Sequence, residues 1–198
     1  MSDDTARLCE AAARGDRDAV AELVQRYLPG LRAFVRLRAG PVIRARESSS
    51  DIVQSVCREV IEHIDRFQHP NDAAFKHWLY TTALRKIANR AEHWQAEKRD
   101  GAREADLGSR GVDGEVELAA CYRTFSTPSG KAELKDEIER VERAFENLSE
   151  EHREVITLAH LTGLSRAEIA ERTGRNEEAV RASLYRGMAR LSALLGAA

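Results

Sequence analysis

Near the C-terminus, "GLSRAEIAERTGRNEEAVRASLYRGMARLSALL" sets two segments of helical period side by side with only "RTGRN" between them. The break is built for a turn. Ser165 with Glu168 three positions on forms a capping box, in which hydroxyl and carboxylate each satisfy a free backbone N–H. Gly174 supplies positive φ after the first segment, and Asn176 is a good N-cap for the second, whose dipole Glu177 and Glu178 complement. In the second segment Val180, Leu184, Met188, Leu191 and Leu195 recur at spacings of four, four, three and four, which predicts one buried face. At about 100° per residue, Ala182 and Arg186 then point outward, flanked by Glu178, Tyr185 and Arg190, with Arg181 at the boundary. A short helix, a glycine turn and a longer helix with small or cationic outward residues is the helix-turn-helix pattern, whose second helix enters the major groove. The same pattern also fits a plain helical hairpin with a solvated charged face.

The rest of the chain agrees with an all-α fold. It has 198 residues, enough for one domain or two small ones, and 42% are hydrophobic, enough for a core. Aromatics are 6% and there are only four prolines, while no stretch alternates as a strand does. The start "MSDDTARLCE" has no apolar run behind a basic segment, and no window approaches the roughly 18 uncharged residues of a membrane span, so a cytoplasmic protein off the membrane is expected. Cys9, Cys57 and Cys121 are odd in number, far apart and without a CxxC pair, as in a reducing compartment. His152 and His160 can share a helix face, but nothing nearby completes a ligand set, so neither metal nor cofactor is expected. An enzyme is also disfavoured: there is no nucleophile paired with a base, no evident carboxylate pair and no phosphate-cradling glycine loop.

A formal net charge of −2 argues against a simple DNA binder, because Lys and Arg contacts to phosphate supply most non-specific affinity. The charge is uneven, however. Residues 71–99 hold Lys76, Arg85, Lys86, Arg90, Lys98 and Arg99 against Asp72, Glu92 and Glu97, a balance of +3. Residues 131–151 hold four cations against eight anions, a balance of −4.

Two helical blocks emerge along the chain. From Asp16, an N-cap, the residues Val20, Leu23, Val24, Tyr27 and Leu28 mark a helix that Pro29 and Gly30 interrupt, and a second short helix follows through Leu37. "AGPVIRARESSS" reads as a connector. A third helix, from Asp51 to about Phe67, buries Ile52, Val53, Val56, Val60, Ile61 and Ile64 and turns Asp51, Gln54, Arg58, Glu62 and Asp65 outward. A fourth starts near Asn71 and runs past Trp94. Residues 101–130, rich in Gly and then Ser, Thr and Pro, read as a linker. Beyond it, 131–147 is helical by period, and "LSEEHREVITLAHLTG" forms another helix between Ser149 as cap and Gly163 as terminator.

The fourth helix carries two stripes. Tyr80, Leu84, Ile87, Ala91 and Trp94 look like its core side. Displaced around the axis, Trp78, Thr82, Arg85 and Asn89 recur at four, three and four, with Lys86 and Arg90 beside them. Such a strip suits single-stranded DNA, since cations track phosphates and an aromatic face stacks an unpaired base for about 1–3 kcal/mol. Trp78 fits equally a ring that fills a seam against neighbouring helices.

Together the blocks resemble the extracytoplasmic-function group of sigma-70 type bacterial sigma factors, over most of the chain. "DIVQSVCREV" resembles the clamp-binding helix of that family, "FKHWLYTTALRKIANRAEHW" its promoter-melting helix, and "LSEEHREVITLAHLTGLSRAEIAERTGRNEEAVRASLYRGMARL" its C-terminal helix-turn-helix domain. The resemblance implies a promoter-specificity subunit with an N-terminal region 2 domain (1–100), a linker (101–130) and a C-terminal region 4 domain (131–198). It implies that Asp51, Gln54, Arg58 and Asp65 dock on core RNA polymerase, and that Trp78, Thr82, Arg85, Lys86, Asn89 and Arg90 engage the melted promoter element. Arg175, Asn176, Glu178, Arg181, Ala182 and Arg186 would meet the upstream duplex. Promoter DNA and core polymerase are the implied partners, with an anti-sigma factor as a possible third.

The sequence also departs from the family's pattern. Arg85 stands where many members have asparagine, and Asn89 where an acidic residue is common. Where the last helix often reads "VKSRLHRA", this chain has "VRASLYRG", so that Ala182 replaces a serine and Ser183 a cation. Glu178 has two readings, as an acceptor for a cytosine amino group and as a complement to the helix dipole. The chief rival to the sigma-factor reading is a stand-alone helix-turn-helix regulator whose first block dimerises or binds a ligand, and a second is an interaction or scaffold protein that keeps the fold but not the DNA work.

Overall fold

Short polar side chains start the helices. In the computed structural model, which describes residues 3–40, 43, 46–99, 115–123, 125 and 134–196, Asp16 accepts from the N–H groups of Asp18 and Ala19 at 3.0 and 3.2 Å. Ser48, Asn71, Ser149, Ser165 and Asn176 do the same for later helices. Each such cap satisfies N–H groups that have no partner inside the helix. The helices among the described residues are α1 (Asp3–Ala13), α2 (Arg17–Arg38), α3 (Ser49–Glu62), α4 (Asp72–Arg99), α5 (Glu115–Tyr122), α6 (Leu134–Glu146), α7 (Glu150–His160), α8 (Arg166–Thr173) and α9 (Glu177–Gly196), with a 3-10 turn at Ile64–Arg66. No strand occurs among those residues, so the expected all-α class holds.

The chain divides into two compact units, Met1–Val35 with Ala39–Arg110, and Gly111–Ala198 with the short stretch Arg36–Arg38. In the first, α3 packs on α4 and α1 on α4. Its core is aromatic in the middle: the Phe34 and Tyr80 rings are 4.9 Å apart, Tyr27 and Phe75 5.9 Å, and Phe67 meets Phe75 edge-on at 5.5 Å. Ile52, Val53, Val56 and Val60 fill the α3 side. In the second unit α9 packs on α7, α8 and α6. Ile138, Val141 and Phe145 of α6, Val155, Ile156 and Leu158 of α7, and Val180, Leu191 and Leu195 of α9 are among its buried core residues. Arg140 donates to the Leu195 carbonyl at 2.7 Å, satisfying an acceptor near the end of α9.

Four expectations need correction. Helix α1, unanticipated, precedes Asp16 and is separated from it by Gly15 at φ 88°. Pro29 does not interrupt α2 but lies inside it. A proline there removes one i→i−4 hydrogen bond and costs about 3 kcal/mol. Full burial of Leu23, Leu31 and Phe34 on either side, at about 1.5–3 kcal/mol each, outweighs that cost. Helix α3 begins at Ser49 rather than Asp51, because Ser48 caps it, and it ends at Glu62, short of Phe67, before the 3-10 turn. Finally, part of the stretch read as a linker is helical. Leu118, Ala119 and Tyr122 of α5 are buried, and α5 packs on α6. The signal was weak because "EVELAACY" is short and bordered by glycine. Residues 101–114, 124 and 126–130 of that stretch lie outside the described residues, as do 131–133 of the helix expected from 131.

Candidate nucleic-acid interface

The turn between α8 and α9 takes the form its residues dictate. The Glu168 carboxylate accepts from the Ser165 N–H at 2.7 Å, while the Ser165 oxygen accepts from the Glu168 N–H at 3.3 Å. Gly174 then adopts φ 66°, ψ 24°, a left-handed conformation that L side chains resist. Asn176 caps α9 by accepting from the Ala179 N–H at 2.7 Å.

The buried face of α9 is rotated slightly from the expected one. It runs through Val180, Ser183, Gly187, Leu191 and Leu195, while Leu184 and Met188 are only half-buried. Small residues explain the shift: Gly187 lets α9 approach α7 closely, and neither Ser183 nor Gly187 carries a hydropathy signal. Ser183 is therefore an interior residue, and its position cannot present a cation to DNA. The opposite face bears Glu178, Arg181, Tyr185, Arg186 and Arg190, all exposed, with Ala182 half-buried among them. Tyr185 is 79% exposed, an unusual setting for so large a ring.

Two of these charges are already engaged with each other, and the nearby Arg175 is engaged as well. Arg181 pairs with Glu178 at 2.5 Å, and Arg175 with Glu151 at 3.0 Å. The Arg181 guanidinium holds the Glu178 carboxyl below its ordinary range, so Glu178 has a partner beyond the helix dipole. Among the described residues Arg186 has no carboxylate within ion-pair distance.

On α4 the outward strip is narrower than the stripe predicts. Thr82 is 4% exposed and so leaves the strip. It lies three residues from Leu79, on the side of the true core row Phe75, Leu79, Ala83 and Ile87, which the small Ala83 conceals in the sequence. Of the expected core residues, Leu84, Ala91 and Trp94 are only half-buried. Trp78 is half-buried too. It stacks on Phe67 at 5.8 Å and 10° and meets Phe75 edge-on at 6.1 Å, so the ring does fill a seam. Arg85 and Asn89 are exposed. Arg85 is ion-paired with Glu59, which also takes Lys86 at 2.9 Å, and Arg90 pairs with Glu47 at 2.6 Å. Burial, then the neighbouring Arg85, Arg90 and Arg58, lower the Lys86 pKa.

Helix α3 turns Asp51, Gln54, Arg58 and Glu62 to solvent, and Asp65 of the following turn is exposed as well. Glu59 and Glu47 were not anticipated as part of any site. Their partners lie 26 to 43 residues away in sequence, and no local spacing reveals such pairs.

Residues 23–98 match the family described as Sigma-70 region 2, and residues 138–191 match Sigma-70, region 4. The chain belongs to the sigma-70 family. Within it, the sigma factor falls in the extracytoplasmic-function group. It is 30% identical over 180 residues to the ECF RNA polymerase sigma factor SigD of Mycobacterium tuberculosis (strain ATCC 25618 / H37Rv), covering 91% of this chain and 78% of SigD. It is 27% identical over 188 residues to the RNA polymerase sigma factor NccH of Alcaligenes xylosoxydans xylosoxydans, covering 95% and 92%. Among solved structures, that of CnrH in complex with the cytosolic domain of CnrY shares the fold, with a TM-score of 0.56 at 24% identity over 98% of this chain and 99% of CnrH. A sigma factor directs promoter-specific transcription initiation. Similarity across both blocks disfavours the stand-alone regulator, since the region 2 match takes in α3, α4 and most of α2. The sigma factor contains no described helix long and apolar enough to cross a membrane.

Proposed function

We propose that this sigma factor works through three surfaces carried on two modules, residues 1–100 and 131–198, joined by the intervening chain. The α3 face of Asp51, Gln54, Arg58 and Asp65 docks on core RNA polymerase. Arg85 and Asn89, with Lys86 and Arg90 beside them, track the phosphates of the melted promoter strand, while Trp78 offers the strand what remains of its ring outside the Phe67 stack. Arg175, Asn176, Glu178, Arg181, Ala182 and Arg186 meet the upstream duplex, with the N-terminal turns of α9 in the major groove.

The exposed cationic face of α9, projecting directly from the Gly174 turn, carries this reading. The net charge of −2 is compatible with it. A subunit delivered by core polymerase need not hold DNA unaided, and once one module is seated, the linker sets the effective concentration of the other. The chain performs no chemistry of its own and acts in the cytoplasm, where the polymerase is. CnrH was solved with the cytosolic domain of CnrY. By extension, an anti-sigma protein is a partner here.

Pull-down with purified core polymerase tests the docking face. Asp51→Lys with Gln54→Ala abolishes retention in this account, whereas Arg186→Glu retains core binding and loses band-shift of the complex on promoter DNA. Wild-type retention by the first variant, or an unchanged shift by the second, contradicts it.

A further inference from the structure

The cations of the melted-strand strip are already neutralised, within the first unit, by carboxylates of α3 and the turn before it. Glu59 accepts both Arg85 and Lys86, and its side chain is 19% exposed. Glu47, 13% exposed, accepts Arg90. The second unit repeats the arrangement in Arg175–Glu151 and Arg181–Glu178. Five of the six cations assigned to DNA thus face a carboxylate of the same chain.

Glu59 differs from the others because one carboxylate spans two adjacent cations. Ion pairs of this partly exposed kind are weak, and a phosphate backbone that lies along the strip can displace them. A stray polyanion must break the same contacts for less return, because it meets the strip without the rest of the polymerase complex to hold it in place. A carboxylate fixed beside the strip costs both modes about the same, so it empties the strip of weak casual ligands while the complex, held by its other contacts, stays occupied.

The geometry points to Glu59 as a specificity-determining residue of the melted-strand surface, which keeps Arg85 and Lys86 from unspecific single strands until core polymerase presents the promoter. This rests on the reading of α4 given above. Removing the charge frees two cations. The Glu59→Gln variant, close to isosteric, is expected to bind a short single-stranded oligonucleotide of unrelated sequence about three- to tenfold more tightly at low salt. Its log–log salt slope should steepen by about 0.7 for each additional phosphate neutralised. With core polymerase, the ratio of promoter starts to background starts should fall.

The experiment is fluorescence anisotropy of that oligonucleotide across a salt series, for wild type, Glu59→Gln, and Glu59→Gln with Arg85→Gln, with circular dichroism confirming that each variant is folded. Loss of the gained affinity in the double variant ties the effect to the strip. Unchanged or weaker binding by folded Glu59→Gln, or a gain that survives Arg85→Gln, overturns the proposal. If Glu59→Gln does not fold, Glu59→Asp replaces it. The shorter acid cannot span both cations and should give a smaller gain of the same sign, and wild-type affinity and slope in that variant overturn the proposal. Failure of the α4 reading itself would look different: Arg85→Gln alone would then leave promoter opening by the polymerase complex unchanged.

Discussion

Gly187 of α9 lies so close to Ile156 of α7 that a Cβ added to it would stand 3.0 Å from Ile156 Cδ1 and 3.1 Å from His152 Cβ. This approach sets how α9 is presented. The Ile156 methyl can retreat, but the His152 Cβ is fixed to its helix. Gly187→Ala should therefore stay within about 1 kcal/mol of wild type, because better helix propensity offsets the crowding. Gly187→Val should lose about 2–3 kcal/mol as its branches meet both neighbours. Urea unfolding followed by circular dichroism compares the three proteins.

The α8–α9 turn makes a second test. Gly174 has open space where a Cβ would go, yet its φ is 66°. The cost of Gly174→Ala is therefore conformational and should be about 1 kcal/mol, and Gly174→Asn should cost less because asparagine tolerates that region. Loss of promoter band-shift should follow the same order.

Trp78 separates packing from DNA contact. Trp78→Ala removes the Phe67 stack and the Phe75 edge contact, and is expected to cost about 3 kcal/mol of stability in addition to any effect on promoter opening. Asn89→Ala, at an exposed position, should leave thermal stability within about 0.5 kcal/mol and change only DNA opening. Thermal melts paired with permanganate footprinting of the open complex distinguish the two.

The Tyr27 hydroxyl donates to the Asp72 carboxylate, linking α2 to α4, and Lys76 pairs with the same carboxylate at 2.9 Å. Burial raises the Asp72 carboxyl, but the tyrosine and lysine contacts outweigh it and hold the group below its ordinary value. A depressed carboxylate contributes stability above its unfolded pKa and loses it as pH falls through the folded one. Tyr27→Phe should therefore cost about 1–2 kcal/mol near neutral pH. That difference should shrink in acid, below the ordinary carboxylate range. Unfolding at a series of pH values measures it.

Local chemistry made much of this legible in the sequence. The capping box at Ser165, the αL glycine at 174 and the Asn176 cap each involve residues within a few positions, so the turn could be read directly. The α3 face emerged for the same reason, from a stripe of β-branched and apolar residues with polar neighbours. Tertiary choices stayed hidden. Nothing near Pro29 announces that Phe34 and Leu31 bury deeply enough to carry α2 through it. Ala83, Ser183 and Gly187 lie at the centres of their buried faces without being hydrophobic enough to say so, and the apolar stripes alone therefore put Thr82 outside and Leu184 inside. The carboxylates at 47 and 59 meet their cations only after folding.

The central claim is that this chain gives core RNA polymerase its choice of promoter, and transcription with purified components tests it most directly. Core polymerase lacking any sigma subunit is mixed with the protein and genomic DNA, and the 5′ ends of the transcripts are mapped. The account predicts a small set of discrete start sites that share two upstream elements and disappear with Arg186→Glu. Starts scattered as with core alone, or discrete starts that persist unchanged in the variant, would contradict it.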